Sequence, residues 1–223
     1  GAHSSIYLSI LDADGDMLVG MSDMRIVQQD LPADYLPSQK QLIQGAKVVT
    51  CDPCMGETAL LQLLDLCQPP QIVCVDPVSC AYARVVAPLI GRFHTAKPNR
   101  MELEVLSGCP VDTKENIVLA CDILRGKGVR RVFVSLGRDG MYYRGPEGGI
   151  WGVSRPFDGM VNATGAGDAS MAGIIYATRQ GYAADEILAF GMGAGMVAIA
   201  SSDTISREMS PAAIETMVKE YIK

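Results

Sequence analysis

The residues with the clearest chemical potential form one short run, Asn162-Ala163-Thr164-Gly165-Ala166-Gly167-Asp168, which a helix-like segment follows directly. Small residues let backbone N–H groups approach an anion closely, because no side chain blocks the way. The start of a helix adds about half a positive charge at the same place. The run therefore predicts an anion-binding loop in which Gly165, Ala166 and Gly167 stabilise the charge of a phosphoryl group in transfer.

Asp168 adds a carboxylate to this loop. In the first turn of a helix such a carboxylate ordinarily acts as a cap or complements the helix dipole. Beside an anion-binding loop it can also accept a proton from an attacking hydroxyl, and phosphoryl transfer needs such a base. The glycine spacing fits neither the G-x-G-x-x-G dinucleotide fingerprint nor a Walker loop, so a dinucleotide-dependent oxidoreductase is a poor alternative.

A second group of polar residues lies in Lys97-Pro98-Asn99-Arg100-Met101-Glu102. Asn99 and Glu102 are three residues apart and would share one face of a helix. One carboxylate and one amide suffice for Mg²⁺, which keeps most of its waters, but the same pair is also typical of a capping box. Beside the glycine loop we favour the metal role. Asp76 is equally well interpreted as part of the same site or as a loop residue before Pro77.

Composition excludes several classes of function. The 223 residues carry a net charge of −6 with scattered Lys and Arg, which argues against binding to a nucleic-acid polymer. No apolar run approaches the roughly 20 residues that span a bilayer. Seven cysteines and the lack of a secretory signal favour a reducing cytoplasm. Cys51-Asp52-Pro53-Cys54 stands alone, so a strand-end loop is favoured over a redox or zinc site.

The elements that would position these residues alternate in type. Short β-like runs at 5–11 and 17–21 flank Asp12–Asp16, which predicts a hairpin turn rather than a calcium loop. Helix-like segments then alternate with continuous apolar runs, a pattern typical of a parallel sheet covered on both faces, with ligands beyond the carboxyl ends of its strands. The predicted helices lie near 33–44, 56–67, 78–91, 113–127, 165–180, 184–200 and 210–221, and the predicted strands at 47–50, 72–75, 93–95 and 132–135.

Thr164–Asp168 resembles the second signature of the PfkB carbohydrate kinases, and the resemblance extends along the whole chain. Lys97–Glu102 resembles the family's N-x-x-E motif, and Ser135-Leu136-Gly137-Arg138-Asp139-Gly140 resembles its nucleotide loop. The resemblance implies a ribokinase-like α/β fold, a three-layer αβα sandwich with a mostly parallel sheet. It also implies transfer of the ATP γ-phosphate to an alcohol of a sugar or nucleoside, with Asp168 as the base.

The resemblance assigns further roles by position. Asn99 and Glu102 would organise Mg²⁺ around the phosphates, and Ser135, Gly137, Gly140 and Thr164 would contact ATP. Within the family, Val75-Asp76-Pro77-Val78-Ser79 and His94–Arg100 are most similar to the branch that phosphorylates the 5′-hydroxyl of pseudouridine. Ribose and a fructose phosphate remain alternative acceptors.

The sequence departs from the family pattern in two places. Asn162-Ala163 stand where most members have Asp-Thr/Ser, which puts activation by a monovalent cation in doubt, although Asn162 still offers a neutral oxygen. The family's first signature is absent, so we expect a single kinase domain over 1–223 that lacks the amino-terminal strands. Within it, 5–23 would be a remnant of the β lid, able to form a homodimer, and 31–223 the nucleotide-binding core. We expect weak or no kinase activity from this chain alone, and a non-catalytic nucleotide-binding module is the alternative function.

Overall fold

A computed structural model of the chain describes residues 3–12 and 17–223. The turn predicted at Asp12–Asp16 falls mostly outside the described residues. The strands are β1 Ile6–Leu11, β2 Met17–Asp23, β3 Val48–Cys51, β4 Ile72–Val75, β5 Thr95–Ala96, β6 Arg131–Ser135, β7 Met141–Gly145 and β8 Gly148–Gly152. The α-helices are α1 Arg25–Asp30, α2 Tyr35–Ser38, α3 Lys40–Gly45, α4 Glu57–Leu66, α5 Cys80–Val86, α6 Arg100–Ser107, α7 Lys114–Gly126, α8 Ala166–Gln180, α9 Ala184–Ile199 and α10 Pro211–Tyr221.

The central sheet contains six strands in the order β3-β4-β5-β6-β7-β8, and β1 and β2 form a separate two-stranded sheet. The pairs β3–β4, β4–β5 and β5–β6 are parallel. Consecutive residues Val132, Phe133 and Val134 are fully buried, which requires both faces of the strand to be covered. The predicted α/β class, with a mostly parallel sheet flanked by helices, is confirmed.

The chain forms two compact units. One consists chiefly of Asp23–Val134 with Arg144–Gly149, and the other chiefly of Ser135–Tyr143 and Ile150–Lys223. The parallel strands β3 to β5 belong to the first unit, and helices α8 to α10 to the second. Among the described residues, no helix combines the length and the apolar character needed to cross a membrane.

Local sequence signals fix several helix boundaries. The hydroxyl oxygens of Ser79, Thr113 and Ser210 accept amide hydrogen bonds at the starts of α5, α7 and α10. The helix predicted at 78–91 changes at Ala87 into a 3-10 helix, Ala87–Arg92. Pro88 has no N–H with which to continue the α-helical ladder, which gives the physical reason for this change.

Other elements differ from the sequence prediction. The helix predicted at 33–44 is two short helices, because Gln39 leaves helical geometry at φ −91° and ψ 9°. The strand predicted at 93–95 is Thr95–Ala96. Helix α1 and strands β7 and β8 were not predicted. Strand β8, Gly148–Gly152, is glycine-rich and gives only a weak strand pattern.

Small residues set the packing of α8 against α9. A Cβ added at Gly173 would lie 2.7 Å from the carbonyl oxygen of Phe190 and 2.8 Å from the Cβ of Ala194. On the other side of this contact, a Cβ at Gly195 would lie 2.6 Å from Ser170 Oγ. All three distances are shorter than real Cβ contacts, so α8 and α9 approach each other this closely only because positions 173 and 195 are glycines. The glycines of the run Gly191–Gly195 therefore serve close helix packing, against α8 at Gly191 and Gly195 and against α10 at Gly193.

Candidate active site

The glycine loop begins α8 in the way the sequence predicts. Gly165 is the N-cap of α8 and has the left-handed conformation φ 86°, ψ −7°. The N–H of Ala169 donates to the Gly165 carbonyl at 2.9 Å and closes the first turn. A Cβ added at Gly165 would overlap the carbonyl oxygen of Thr204. Position 165 therefore needs glycine for its conformation and for the close approach of the Thr204 segment.

Asp168 lies in the first turn of this 15-residue helix and is exposed, as is Gly167. Helix starts present amide N–H groups that have no acceptor within the helix. A carboxylate beside such amides can reach a bound hydroxyl while a phosphate group occupies the helix start. The position of Asp168 is therefore compatible with a proton acceptor, and its catalytic role remains a prediction.

Two buried hydroxyls in the same unit fit a nucleotide. Among the residues the structure describes, Thr164 Oγ1 and Ser135 Oγ are buried without a hydrogen-bond partner. Such groups lose hydrogen bonds to water on folding and gain none in return, unless a ligand supplies them. A polar ligand such as ATP would restore these bonds, so the donor set fits the predicted cofactor.

Asn162 shapes the backbone that leads into the glycine loop. Its Oδ1 accepts a hydrogen bond from the N–H of Thr164 at 2.9 Å. The amide oxygen is therefore already engaged as a local turn acceptor, as is common for Asn. Asn162 as a ligand of a monovalent cation stays a prediction.

The two glycines of the predicted nucleotide loop serve different purposes. Gly137 begins a 3-10 helix, Gly137–Asp139, with φ 62°, and a Cβ there would meet open space. Gly140 has φ 94°, and a Cβ there would overlap the carbonyl oxygen of Gly152. Close packing of the backbone therefore requires glycine at 140, whereas at 137 the space beside the backbone is left open. From the sequence alone, both glycines were predicted to have the same role in contacting ATP.

A second cluster, in the other unit, consists of Asp76, Lys97, Asn99 and Glu102, and we call it the rim cluster. Asn99 is the N-cap of α6, and its Oδ1 accepts from the N–H of Glu102 at 2.9 Å. Glu102 Oε2 in turn accepts from the N–H of Asn99 at 2.8 Å. The capping-box alternative is therefore confirmed, and a role in Mg²⁺ binding remains a prediction for the same two residues.

Glu102 is only 2% exposed, and burial raises the pKa of its carboxyl. The negative charge of Asp76 raises the pKa further, while the Asn99 hydrogen bond and the positive charge of Lys97 lower it. Burial disfavours the charged form of any carboxyl, and a bound cation would offset that cost. The raised pKa of Glu102 is therefore a consequence of its burial, and a cation bound beside it would lower that pKa again.

Lys97 is the residue of this cluster that sequence reasoning missed. Its Nζ lies 2.9 Å from Asp76 Oδ2, and the two side chains are 4% and 14% exposed. Lysine is almost never fully buried unless it is paired. The available signal in the sequence was a charged residue directly after the short strand β5. That position predicts a residue at the carboxyl edge of the sheet.

The Cys51–Cys54 segment differs from a redox dithiol in the pKa of its thiols. Burial and the neighbouring Asp52 raise the pKa of both Cys51 and Cys54 to about 12. Redox dithiols have lowered pKa values, so the direction here is the opposite. Within the described part of the chain, no group of three or more His, Cys, Asp or Glu could hold a metal ion. The strand-end interpretation of Cys51–Cys54 is supported, because Pro53–Met55 form a 3-10 turn after β3.

Comparison with known proteins places the chain among kinases. The family described as pfkB family carbohydrate kinase matches residues 1–211. The chain is 35% identical over 220 residues to the pseudouridine kinase of Escherichia coli, a match that covers 98% of this chain and 69% of that protein.

Two solved structures show the same fold. A Clostridium perfringens protein described as a sugar kinase superposes with a TM-score of 0.83 at 29% identity, over 96% of this chain and 67% of that one. The Arabidopsis thaliana ribokinase complexed with ribose and ATP superposes with a TM-score of 0.79 at 20% identity, over 96% of this chain and 68% of that one. The predicted ribokinase-like fold is confirmed, and the chain spans about two thirds of the length of these proteins.

Proposed function

Because the chain belongs to the pfkB family of carbohydrate kinases, we propose that it transfers the γ-phosphate of ATP to an alcohol of a nucleoside or sugar. The acceptor we propose is the 5′-hydroxyl of pseudouridine, since the match to a pseudouridine kinase covers nearly the whole chain. The observation that carries the proposal is the glycine loop, where Gly165 begins α8 in a left-handed conformation and Asp168 stands in the first turn.

In this proposal Asp168 takes the proton of the acceptor hydroxyl while the hydroxyl oxygen forms a bond to the γ-phosphorus of ATP. The bond between the γ-phosphorus and the oxygen that bridges to the β-phosphorus breaks, and ADP leaves. The amide of Gly167 at the start of α8 donates a hydrogen bond to the phosphoryl oxygens, and that of Ala166, which donates to the Ala163 carbonyl at 3.3 Å, would share its hydrogen with them. Positioning and charge stabilisation of this kind supply most of the catalysis in phosphoryl transfer. The hydroxyls of Thr164 and Ser135 and the open space beside Gly137 would receive ATP.

Magnesium would supply positive charge to the ATP phosphates when bound. Asn99 and Glu102 are the residues proposed to hold it, directly or through its waters. The capping box uses one lone pair of Asn99 Oδ1 and one oxygen of Glu102, so the second lone pair of Asn99 Oδ1 and the other carboxylate oxygen of Glu102 would face the ion or its waters. A monovalent cation is proposed to bind near Asn162, whose Oδ1 also accepts the N–H of Thr164.

The acceptor is tested by measuring ADP release from the full-length gene product with nucleosides and sugars. Pseudouridine is expected to give the highest kcat/KM. A sugar that is turned over while pseudouridine is not would overturn the acceptor and leave the kinase standing. Calorimetry that shows ATP binding with no acceptor binding would instead favour a nucleotide-binding module.

The base is tested by Asp168→Asn, with Asp185→Asn in the first turn of α9 as the matched control. Asp168→Asn should lower kcat by at least about a thousandfold, while the affinity for ATP stays within a few fold. Asp185→Asn should leave both values near those of the wild type. Full turnover by Asp168→Asn would remove Asp168 from the mechanism.

The two-stranded sheet β1–β2 is proposed as a lid over the acceptor and as a contact between two copies of the chain. Its apolar residues Leu8, Ile10, Leu18, Val19 and Met21 are 47–66% exposed. Exposed apolar patches of this kind are typical of protein interfaces. Sedimentation of the wild type and of Leu18→Asp, at matched concentrations, tests the dimer, which the substitution should dissociate.

A further inference from the structure

Three neighbouring strands of the parallel sheet end in the same way. In the register of the sheet, Cys51 of β3 pairs with Val75 of β4, and Val75 pairs with Ala96 of β5. Each of these strands is followed at once by a charged residue and then a proline: Asp52-Pro53, Asp76-Pro77 and Lys97-Pro98. Two hydrogen bonds, from Asp76 N–H to Cys51 O and from Lys97 N–H to Val75 O, extend the ladder by one step. Asp52, Asp76 and Lys97 are therefore neighbours at the carboxyl edge of the sheet.

Among these three charged residues at the strand ends, Lys97 pairs with Asp76. Its ammonium contacts Asp76 Oδ2 at 2.9 Å, while the Asp52 carboxylate accepts the N–H of Cys54 at 2.8 Å. Asp76 Oδ1 accepts the N–H of Val78 at 3.3 Å, and Val78 has φ 65°, a conformation that a β-branched residue seldom adopts. Both oxygens of Asp76 are thus fixed, one by Lys97 and one by the backbone of a strained turn.

Stability alone does not explain this buried pair. Apolar side chains of similar volume are often as stabilising as a buried ion pair, or more so, because burial of two charges costs solvation. The chain nevertheless buries the Lys97 side chain, which is 4% exposed, against Asp76, and the charge of Lys97 also acts on Glu102. Two negative charges and one positive charge give the rim cluster a net charge of −1, which suits a cation next to it.

We infer that Lys97 is a positioning residue: it acts through Asp76 to hold the edge where Asn99 and Glu102 receive magnesium-bound nucleotide. The inference rests on the proposed function. Lys97 fixes the loop that follows β4 through its ion pair with Asp76, and its positive charge offsets the repulsion between Asp76 and Glu102. Glu102 can then keep the orientation that its capping box gives it. Without the ammonium, Asp76 and Glu102 repel each other, and the edge should rearrange.

The test uses four variants of the full-length gene product. Lys97→Met keeps the length of the side chain without its charge, and Lys97→Arg keeps the charge. Asp76→Asn combined with Lys97→Met removes both charges of the pair. Lys127→Met is the matched control, since Lys127 lies in the same unit and donates to Leu106 O at 2.8 Å. The readouts are Mg·ADP affinity by calorimetry, the Mg²⁺ concentration for half-maximal turnover, and the midpoint of urea unfolding.

Lys97→Met is expected to weaken Mg·ADP binding about tenfold and to raise the Mg²⁺ requirement by a similar factor, and Lys97→Arg should recover part of both. The double variant should regain unfolding stability but not Mg·ADP affinity. The inference would be overturned if the double variant regained both unfolding stability and Mg·ADP affinity. It would also be overturned if Lys97→Met lost no more Mg·ADP affinity than Lys127→Met. A wild type that turns over no acceptor would contradict the proposed function instead, and the comparison of Mg·ADP affinities would still decide the role of Lys97.

Discussion

The carbonyl oxygen of Thr204 occupies the space that a side chain on Gly165 would need. Gly165 is also the left-handed N-cap of α8, so two independent constraints exclude other residues at the start of this helix. The close approach links the segment before α10 to the loop in which we place phosphoryl transfer. It makes Gly165 the most sensitive backbone position of the proposed site.

Gly165→Ala should destabilise the chain and impair nucleotide binding. The positive φ alone costs about 1 kcal/mol for alanine, and the overlap with Thr204 adds about 1–3 kcal/mol. Gly181→Ala is the matched control, because Gly181 ends the same helix at φ 79° with nothing within 4 Å of an added Cβ. Urea unfolding of both variants should show the larger loss for Gly165→Ala, and equal losses would mean that the overlap relaxes at no cost.

Glu102→Gln should raise the free energy of unfolding at neutral pH in metal-free buffer. The pKa of Glu102 is raised in the folded chain above its ordinary value of 4.5, so the folded state binds the proton more tightly. That contribution to stability is fully present below pH 4.5 and is lost as the pH rises through the folded-state pKa. Glutamine stays neutral and keeps an acceptor for the N–H of Asn99. The free energy of unfolding of the variant should therefore exceed that of the wild type by more as the pH rises through this window.

The control for this measurement is Glu104→Gln on the same helix, because Glu104 is exposed. The free energies of unfolding of the two variants and of the wild type are measured in EDTA from about pH 4 to pH 8. The difference from the wild type should change with pH for Glu102→Gln only. The same substitution is expected to weaken Mg·ADP binding. A stability difference that does not change with pH would show that Glu102 is not the titrating group.

Cysteine alkylation should separate buried thiols from accessible ones. Burial raises the pKa of Cys51 and Cys121 to about 12 and that of Cys74 to about 11, so little thiolate forms at pH 8. Iodoacetamide should leave these three cysteines unmodified until the chain is unfolded, as mass spectrometry of digests would show. Cys54 should also react slowly, since its pKa is raised to about 12. Fast labelling of Cys54 would reopen the redox interpretation of the Cys51–Cys54 segment.

Gly173→Ala should loosen the contact that supports α8. The new methyl group would press against backbone and Cβ atoms of α9, at Phe190 and Ala194, which cannot move as a flexible side chain can. A loss of about 1–3 kcal/mol in the free energy of unfolding is expected. Gly126→Ala at the end of α7, where an added Cβ meets nothing within 4 Å, should change it by less than about 1 kcal/mol. A neutral Gly173→Ala would mean that α8 and α9 separate easily.

The sequence by itself determined the class of the fold and the identity of the glycine loop. Continuous apolar strands between helices have few solutions other than a covered parallel sheet, and the Gly165–Asp168 spacing is a local property of one loop. The start of α8 at Ala166 and the capping box of Asn99 and Glu102 are local for the same reason, because each depends on residues three or four apart.

Only the tertiary structure decided which residues surround those motifs. Lys97 and Asp76 are 21 positions apart and meet because their strands are neighbours, and Thr204 meets Gly165 across about 40 residues of chain. Gly137 and Gly140 look alike in the sequence, but Gly140 alone lies against the backbone of Gly152. Contacts of this kind depend on strand register and on helix packing, which no local pattern encodes, so burial and pairing became visible only once the chain was folded.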